Sequence, residues 1–336
     1  MNWYLQSGKE SDVVLSTRIR FARNLINYPF STKLTKEEAI ELIDKIEQCN
    51  IGFDLKLFKL SDMDGITKMS LVEKHILSPE FVLNDNESRA ILINDEENIC
   101  IMINEEDHLR IQVLGAGLDL DNILNVIYEI DRKLEEILEY AFDAKYGFLT
   151  TCPTNVGTGM RASVMVHLPA LSMTGNINKV LEVVNGFGMN IRGIYGEGSQ
   201  SQGNVYQISN KSSLGISEEE TIKNLNVITE KIIEQERLAR KYLAKNSIEL
   251  EDKVYRSFGI LANAKKMSSV ECNNLLSNIR LGTDLGIIEE LTDLKVNKLE
   301  LYSKPANLQK YLDKTLDDYE RDIQRAYIIK QIIKED

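Results

Sequence analysis

Alternation of apolar and polar residues marks several strands before about residue 250. Residues 90–94 and 99–104 are apolar segments bounded by Asn, Asp and Glu turn residues, which predicts a β-hairpin. Residues 109–114 alternate between polar and apolar side chains, as a half-buried strand does. Residues 163–168 and 204–209 are two more strand candidates. This part of the chain is therefore expected to contain a sheet of short strands.

Helical patterns lie between these strands. Thr35 opens a capping box for a helix that runs to about Cys49. Apolar residues at helical spacing predict another helix over 119–141. Ser217, followed by three glutamates, caps a helix that reaches about Leu243. Short strands with hairpin turns and covering helices predict an α+β fold, with an antiparallel sheet flanked by helices.

After about residue 246 the strand signals stop. Four segments with helical periodicity and polar joints follow: 249–262, 268–281, 305–316 and 317–333. We therefore expect two domains, a mixed domain of residues 1–245 and an all-helical domain of residues 246–336, each within the usual size range.

Composition limits the class of protein. The 336 residues are 43% hydrophobic and 27% charged, which is typical of a globular chain with a sizeable core. The net charge of -12 argues against a protein that binds nucleic acid directly. An acidic surface suits a basic partner, but it is also common among proteins with no such partner.

Cellular location is predicted from what the sequence lacks. No apolar run of 18 residues could span a membrane, and the polar N-terminal residues do not resemble a signal peptide. The four cysteines, Cys49, Cys100, Cys152 and Cys272, are far apart and form no Cys-x-x-Cys pair. We expect a cytoplasmic protein with reduced thiols and with no metal ligands of its own.

Candidate chemistry begins with an arginine-rich segment near the N-terminus. The chain has neither a P-loop nor the His-Arg-Asp and Asp-Phe-Gly motifs of common protein kinases. In Ser16-Thr17-Arg18-Ile19-Arg20, an extended backbone would place Arg18 and Arg20 on the same side. Two such guanidinium groups repel unless an anion lies between them, and a polyphosphate is the natural anion. A basic, solvated edge strand is the alternative.

An acidic segment comes next, Asn104-Glu105-Glu106-Asp107-His108-Leu109-Arg110. One of its carboxylates could hold a cationic substrate while Arg110 faces an anionic one. A plain acidic turn is the alternative interpretation.

Two glycine-containing segments complete the set. In residues 152–163, glycines at 157 and 159 permit close backbone approach to a ligand, and Arg161 follows them. Cys152 precedes a proline in a polar setting, unlike an inert core cysteine. Residues 191–198 place Arg192 on a glycine-flanked turn with a glutamate, which suggests a loop that closes over a ligand.

Together these segments resemble the phosphagen (ATP:guanido) kinase family, in that family's order, over roughly residues 12–245. The strings Asn-Glu-Glu-Asp-His and Cys-Pro-Thr-Asn-x-Gly-Thr-Gly are specific. The chain is most similar to the bacterial members that phosphorylate arginine side chains of proteins. The resemblance therefore implies transfer of the γ-phosphoryl group of ATP to a guanidinium nitrogen.

Two departures from the small-molecule members favour a protein substrate. The Ser16–Arg20 motif lies close to the N-terminus, so we expect the helical lid domain that encloses free arginine or creatine to be missing. The helical segment after residue 246 is extra. It contains Arg321-Asp322-Ile323-Gln324-Arg325-Ala326, which resembles a phosphoarginine pocket. Product binding there would feed back on activity. An ordinary salt bridge between Asp322 and Arg325 is the alternative.

The resemblance also implies roles for individual residues. Five arginines would hold the ATP phosphates: Arg18, Arg20, Arg110, Arg161 and Arg192. The nucleotide-binding segments would be Ser16, Thr17, Arg18, Ile19 and Arg20; Arg161, Ala162, Ser163, Val164 and Met165; and Arg192, Gly193, Ile194, Tyr195, Gly196 and Glu197. His75 would lie near the nucleotide, although a surface helix histidine is an equally good interpretation.

Catalysis would rest on Glu106, Glu197 and Cys152. A protonated guanidinium is a poor nucleophile. Two carboxylates can align one of its nitrogens and accept the departing proton. Cys152 would lie beside the reacting nitrogen, while the arginines and Mg²⁺ stabilise the charge on the transferring phosphoryl group.

Partners are likewise implied by the resemblance. They are proteins with exposed arginines, a stress-response repressor, a Clp-type protease and a zinc-binding activator, with a homodimer formed through the helical domain. Two alternative functions remain open: a kinase of a free guanidino metabolite such as arginine, and a regulatory adaptor that only binds phosphoarginine.

Overall fold

The structure is a computed structural model that describes residues 2–83, 87–193 and 201–335. Its strands are β1 (Val14–Arg23), β2 (Lys56–Lys59), β3 (Ala90–Ile93), β4 (Ile99–Ile103), β5 (Leu109–Ala116), β6 (Phe142–Asp143), β7 (Gly147–Phe148), β8 (Met160–His167), β9 (Met189–Gly193) and β10 (Val205–Asn210). Its helices are α1 (Lys36–Glu47), α2 (Gly65–Glu73), α3 (Pro79–Leu83), α4 (Leu120–Glu135), α5 (Pro169–Met173), α6 (Ile177–Gly186), α7 (Glu218–Leu243), α8 (Ser247–Asn263), α9 (Ser269–Asp284), α10 (Asp293–Tyr302), α11 (Pro305–Leu312) and α12 (Asp318–Lys334).

One antiparallel sheet organises the first part of the chain. Within the described ranges it has eight strands in the order β2-β3-β4-β5-β1-β8-β10-β9, while β6 and β7 form a separate pair. The predicted hairpin is confirmed, since β3 and β4 pair directly along the sheet. The predicted α+β fold with an antiparallel sheet and a helical C-terminal region is also confirmed.

The two faces of the sheet have different surroundings because side chains alternate along each strand. On one face, Ile19 and Phe21 of β1 are fully buried in a core to which α4 and α7 contribute. Arg18 and Arg20 point to the other face. Arg23 is three residues after Arg20, so its side chain lies on the helix-covered face, where it forms an ion pair of 2.7 Å with Asp131.

Helices α8–α12 have a hydrophobic cluster of their own, and we call them the helical module. The four helices predicted there are present. Helix α10 was not predicted, because its apolar residues show no helical stripe, although Val296 and Leu299 are buried. Helix α4 ends at Glu135, short of the predicted residue 141. The domain boundary near residue 245 stays a prediction, since Leu243 contacts the clusters on both sides of it.

Helix capping follows the sequence closely. Thr35 and Glu38 form the predicted capping box, and the Ser217 side chain accepts a hydrogen bond from the Glu220 backbone N–H. Each such cap stabilises its helix by about 1 kcal/mol. In the part of the chain that the structure describes, no helix is long and apolar enough to cross a membrane.

Candidate active site

Arginines from four strands meet in one pocket on the open face of the sheet. Antiparallel pairing sets Arg20 of β1 directly opposite Arg161 of β8, and Arg110 of β5 opposite Ala22. Arg192 reaches the same pocket from β9 at the sheet edge. The pocket has a volume of about 240 Å³ and is called the arginine pocket below. Four of the five predicted phosphate-binding arginines therefore line one cavity.

Positive charge in this pocket is poorly compensated. The Nε atoms of Arg20 and Arg161 are buried and have no hydrogen-bond partner. Burial, and then the neighbouring arginines, lowers the pKa of Arg20 well below its usual range. Burial and the cations Arg110, Arg161 and Arg192 lower the pKa of Arg18 to about 9. An anion bound among these groups would relieve both the repulsion and the missing hydrogen bonds.

The acidic segment supplies one carboxylate that faces this pocket freely. Glu105 does not, because it accepts hydrogen bonds from Arg110 at 2.6 Å and from Ser78 at 2.7 Å. Glu106 is exposed and lines the pocket. Partial burial, and then the charges of Asp107 and Glu105, raises the pKa of Glu106. A carboxylate with a raised pKa is better suited to accept a proton than an ordinary surface glutamate.

Cys152 lies next to Glu106. Burial and the neighbouring carboxylates raise the pKa of Glu106, and the Cys152 thiol opposes part of that rise. The Cys152 Sγ is 3.0 Å from Thr154 Oγ1. The thiol is partly exposed, whereas the other three cysteines are buried. The structure thus brings two of the three predicted catalytic residues together at the arginine pocket.

A buried aspartate that was not among the predicted site residues holds this arrangement together. Asp107 is only 3% exposed. One of its carboxylate oxygens accepts hydrogen bonds of 2.7 Å from the Asn24 side chain and from the Thr151 backbone N–H. It therefore fixes Glu106, one residue before it, relative to Cys152, one residue after Thr151. Its place inside the specific acidic string was the signal that could have revealed it.

The two glycines of residues 152–163 are required by contacts within the protein. Both have positive φ, 113° for Gly157 and 64° for Gly159. A side chain at Gly157 would collide with the Ser213 carbonyl oxygen, and one at Gly159 would come within 2.6 Å of the Ala22 carbonyl oxygen. These glycines therefore permit close approach of protein backbone to protein backbone. Gly159 also lines the arginine pocket, so the expected approach of a ligand to this loop stays a prediction.

A second pocket lies further along the same face of β1. Ser16, His75 and Met165 line it, and its volume is about 140 Å³. Ser16, Arg18 and Arg20 are alternate residues on one face of β1, so this strand connects the second pocket to the arginine pocket.

His75 is not on a helix. It lies in a turn just after α2 with a φ of 62°, and its carbonyl oxygen accepts a hydrogen bond of 3.3 Å from Arg18. Burial, and then the charges of Lys304 and Arg18, lowers the pKa of His75 well below its usual range, so the ring is neutral. The structure thus removes the alternative of a surface helix histidine and places His75 beside other predicted nucleotide-binding residues.

Several predicted nucleotide-binding residues turn their side chains away from both pockets. Ile19, Ala162 and Val164 are fully buried in the core on the helix-covered face. The Thr17 hydroxyl donates a hydrogen bond to the Gly117 carbonyl oxygen on that side. Because the strand alternates, a contiguous motif can present only every second side chain to a ligand. Ser163 is on the open face, opposite Arg18 in the ladder.

The last predicted segment is described only in part. Arg192 and Gly193 belong to β9, so the expectation of a turn at Arg192 is wrong. The remaining residues of the segment, Ile194, Tyr195, Gly196 and Glu197, lie outside the described residues.

The predicted phosphoarginine residues lie on α12. Arg325 is 2% exposed, and its guanidinium donates hydrogen bonds to the carbonyl oxygens of Ser303 and Met267 and to Asp322. Ala326 is fully buried. Arg321 and Asp322 are half-buried. Any direct contact with a ligand would therefore come from Arg321 and Asp322, with Arg325 positioning Asp322 and Asp318 pairing with Arg321.

Comparison with known proteins agrees with this geometry. The family described as "ATP:guanido phosphotransferase, C-terminal catalytic domain" matches residues 37–239. The one described as "Protein-arginine kinase McsB C-terminal domain" matches residues 247–336. The protein-arginine kinase of Geobacillus sp. (strain WCH70) is 46% identical over 99% of this chain and 94% of that protein. That of Halothermothrix orenii is 47% identical over 98% of this chain and 95% of that protein.

Solved structures show the same likeness. The duplicated taurocyamine kinase from Schistosoma mansoni, with bound transition state analog components, has a TM-score of 0.62 at 26% identity, covering 79% of this chain and 40% of that one. Lombricine kinase has a TM-score of 0.59 at 28% identity, covering 69% of this chain and 68% of that one. The fold and the arginine pocket thus define an enzyme that transfers phosphoryl groups from ATP to guanidino groups. Within the ATP:guanido phosphotransferase family, the chain belongs to the protein-arginine kinases.

Proposed function

We propose that the arginine pocket transfers the γ-phosphoryl group of ATP to arginine side chains of proteins, with Glu106 as base. The observation that supports this proposal is that one cavity contains both a site for an anion and a site for a cation. The buried, unpartnered Nε atoms of Arg20 and Arg161 require an anion, and the exposed Glu106 beside them offers a site for a cation. A polyphosphate would occupy the anion site, and a guanidinium group would occupy the cation site.

The reaction follows from these positions. A terminal guanidinium nitrogen of the substrate attacks the γ-phosphorus, and the bond from that phosphorus to the β–γ bridging oxygen breaks, releasing ADP. The proton of the attacking nitrogen passes to Glu106. Positioned arginines stabilise the charge on the phosphoryl oxygens as it develops, which is the main source of rate enhancement in phosphoryl transfer. Cys152 is proposed to tune the Glu106 carboxylate beside it, and Glu197 is proposed as a second carboxylate on the guanidinium.

Mg²⁺ would enter with the nucleotide. Among the residues that the structure describes, no group of three or more His, Cys, Asp or Glu side chains is placed to hold a metal ion. The arginine pocket itself suits phosphate oxygens, which are the ligands that Mg²⁺ prefers in kinase sites. Bound there, Mg²⁺ would neutralise part of the phosphate charge.

The helical module is proposed to bind phosphoarginine through Arg321 and Asp322, with feedback on activity. Marking of proteins for a stress response and for proteolysis stays a prediction from family resemblance. So do the partners, namely a repressor, a Clp-type protease and a zinc-binding activator, as well as the homodimer and the cytoplasmic location.

One experiment separates the candidate functions. The full chain is incubated with Mg-ATP and an unfolded arginine-rich protein, or with free arginine, and phosphate is mapped under conditions that preserve acid-labile P–N bonds. We expect phosphoarginine on the protein. Product on free arginine alone would instead identify a metabolite kinase. No product from either, with phosphoarginine still bound, would identify an adaptor.

A further inference from the structure

The second pocket is formed jointly by the sheet and the helical module. Ser16, His75 and Met165 line its sheet side, while Asn273 of α9 and Leu301 of α10 line the opposite side. Its volume of about 140 Å³ is below the roughly 300–1,000 Å³ of pockets that hold a whole drug-sized ligand. It can therefore take one part of a larger ligand that continues along β1 into the arginine pocket.

The charged groups of this pocket are already paired. Arg280 forms an ion pair of 2.8 Å with Glu300, and Lys74 forms one of 2.7 Å with Glu97. Lys304 donates a hydrogen bond of 2.8 Å to a backbone carbonyl oxygen of α2. The open face of the sheet therefore has the positively charged arginine pocket at one end and the second pocket, whose charges are balanced, at the other. A neutral group with apolar faces and polar edges fits the balanced end, as a nucleoside does.

Polar and apolar side chains suited to such a group are present on the module side. The Asn273 side chain is partly exposed and has no hydrogen-bond partner within the described residues. Leu276, one turn further along α9, is buried and lines the same pocket. An amide can hydrogen-bond a base edge or a ribose hydroxyl, while a leucine packs against the flat face of a ring.

A carboxylate joins the module to the turn that carries His75. Glu73, the last residue of α2, accepts hydrogen bonds of 2.8 and 2.9 Å from the backbone N–H groups of Ala306 and Asn307, in the first turn of α11. It also accepts one of 2.8 Å from the Asn307 side chain. His75 follows two residues later. The module therefore fixes one lining residue of the pocket through the backbone of α2.

We propose that the helical module forms one wall of the nucleoside end of the ATP site, with Asn273 and Leu276 on the base or ribose. Glu73 acts as a positioning residue for His75. This inference rests on the proposed function, because it assumes that the arginine pocket binds the phosphates of the same nucleotide. The module is then part of the catalytic centre and not only an appended domain. Because the module is attached to α2, a structural change within the module would also change the affinity for the nucleotide.

The test compares ligands with and without a nucleoside. Affinities of ADP and of inorganic tripolyphosphate are measured by calorimetry on the full chain, for the unchanged protein, for Asn273→Trp and for Val270→Trp. Val270 is exposed on the same helix and does not line the pocket, so it controls for the added indole. We expect Asn273→Trp to weaken ADP binding by about tenfold or more while tripolyphosphate changes by less than about twofold. Val270→Trp should change neither.

Two further variants keep the test decisive if Asn273→Trp does not fold. Asn273→Leu, which keeps the branched shape of the side chain but removes its polar atoms, should weaken ADP binding by several-fold and leave tripolyphosphate binding unchanged. Glu73→Gln should raise the KM for ATP with little change in kcat, because it loosens His75 without touching the reacting groups. Unchanged ADP affinity in the Asn273 variants that fold would overturn the proposal. If tripolyphosphate fails to bind the unchanged protein, the proposed function itself is wrong, which is a different result.

Discussion

Removal of Arg20 should stabilise the ligand-free protein while it destroys nucleotide binding. Arg20 and Arg161 are directly opposed on neighbouring strands, and each has a buried Nε without a partner. Two guanidinium charges about 6 Å apart at an effective dielectric of about 20 repel by about 3 kcal/mol. Lost packing of the long side chain and lost attraction to Glu105 offset part of this gain. We expect Arg20→Met to raise the free energy of unfolding by about 1–2 kcal/mol, and Tm by about 2–4 °C.

The matched control is Arg23→Met on the same strand. Arg23 is also buried, but it forms an ion pair of 2.7 Å with Asp131 and stacks on the Phe148 ring. Its removal leaves a buried carboxylate unpaired, which costs about 3–5 kcal/mol. Two arginine-to-methionine changes three residues apart should therefore shift Tm in opposite directions.

The assay is thermal unfolding with and without Mg-ATP. The unchanged protein should gain stability with ATP according to its affinity. Arg20→Met should lose most of that gain, because one charge-assisted hydrogen bond to phosphate is worth about 1.5–3 kcal/mol, or roughly 10–150-fold in affinity. A fall in ligand-free Tm for Arg20→Met, similar to that of Arg23→Met, would refute the idea that this pocket holds uncompensated positive charge.

Three further predictions concern the groups around this pocket. Because Glu106 must be ionised to act and its pKa is raised, the acid limb of kcat/KM should lie above the usual range of a glutamate. Cys152→Ala removes an interaction that lowers this pKa, so the acid limb of the pH–rate profile should move to higher pH. A shift to lower pH would contradict the assignment of Glu106 as the base. Gly157→Ala should cost more than about 2 kcal/mol in denaturant unfolding, since it combines positive φ with a backbone collision; an unchanged midpoint would disprove it. Asp107→Ala should remove the acceptor of two hydrogen bonds, from Asn24 and Thr151, costing about 1–3 kcal/mol and lowering kcat more than ATP affinity. A kcat equal to that of the unchanged protein would disprove the positioning role of Asp107.

Local patterns in the sequence predicted much of the fold. The capping box at Thr35 and the cap at Ser217 mark helix starts that the structure shows at the expected residues. The alternation around Arg18 and Arg20 correctly placed both guanidinium groups on one face. Such signals depend on neighbours within a few residues, so a single sequence contains them.

Other features depend on contacts between distant segments and could not be predicted this way. Helix α10 has no clear apolar stripe, and it is buried by packing against α9 and α12. The collision that requires glycine at position 157 comes from Ser213, 56 residues further along the chain. The motif around Ala162 and Val164 marks the right strand, but only the sheet register shows which of its side chains face the ligand.

The most direct test of the central claim is phosphoarginine formation by Glu106→Gln. Mass mapping of an unfolded protein substrate, under conditions that preserve P–N bonds, is compared between this variant and the unchanged chain, with ATP affinity measured in parallel. We expect phosphoarginine from the unchanged chain. For Glu106→Gln we expect a loss of at least about 10²-fold with ATP affinity retained, as when a base is removed. Comparable phosphoarginine from both proteins would contradict the assignment of phosphoryl transfer to this pocket.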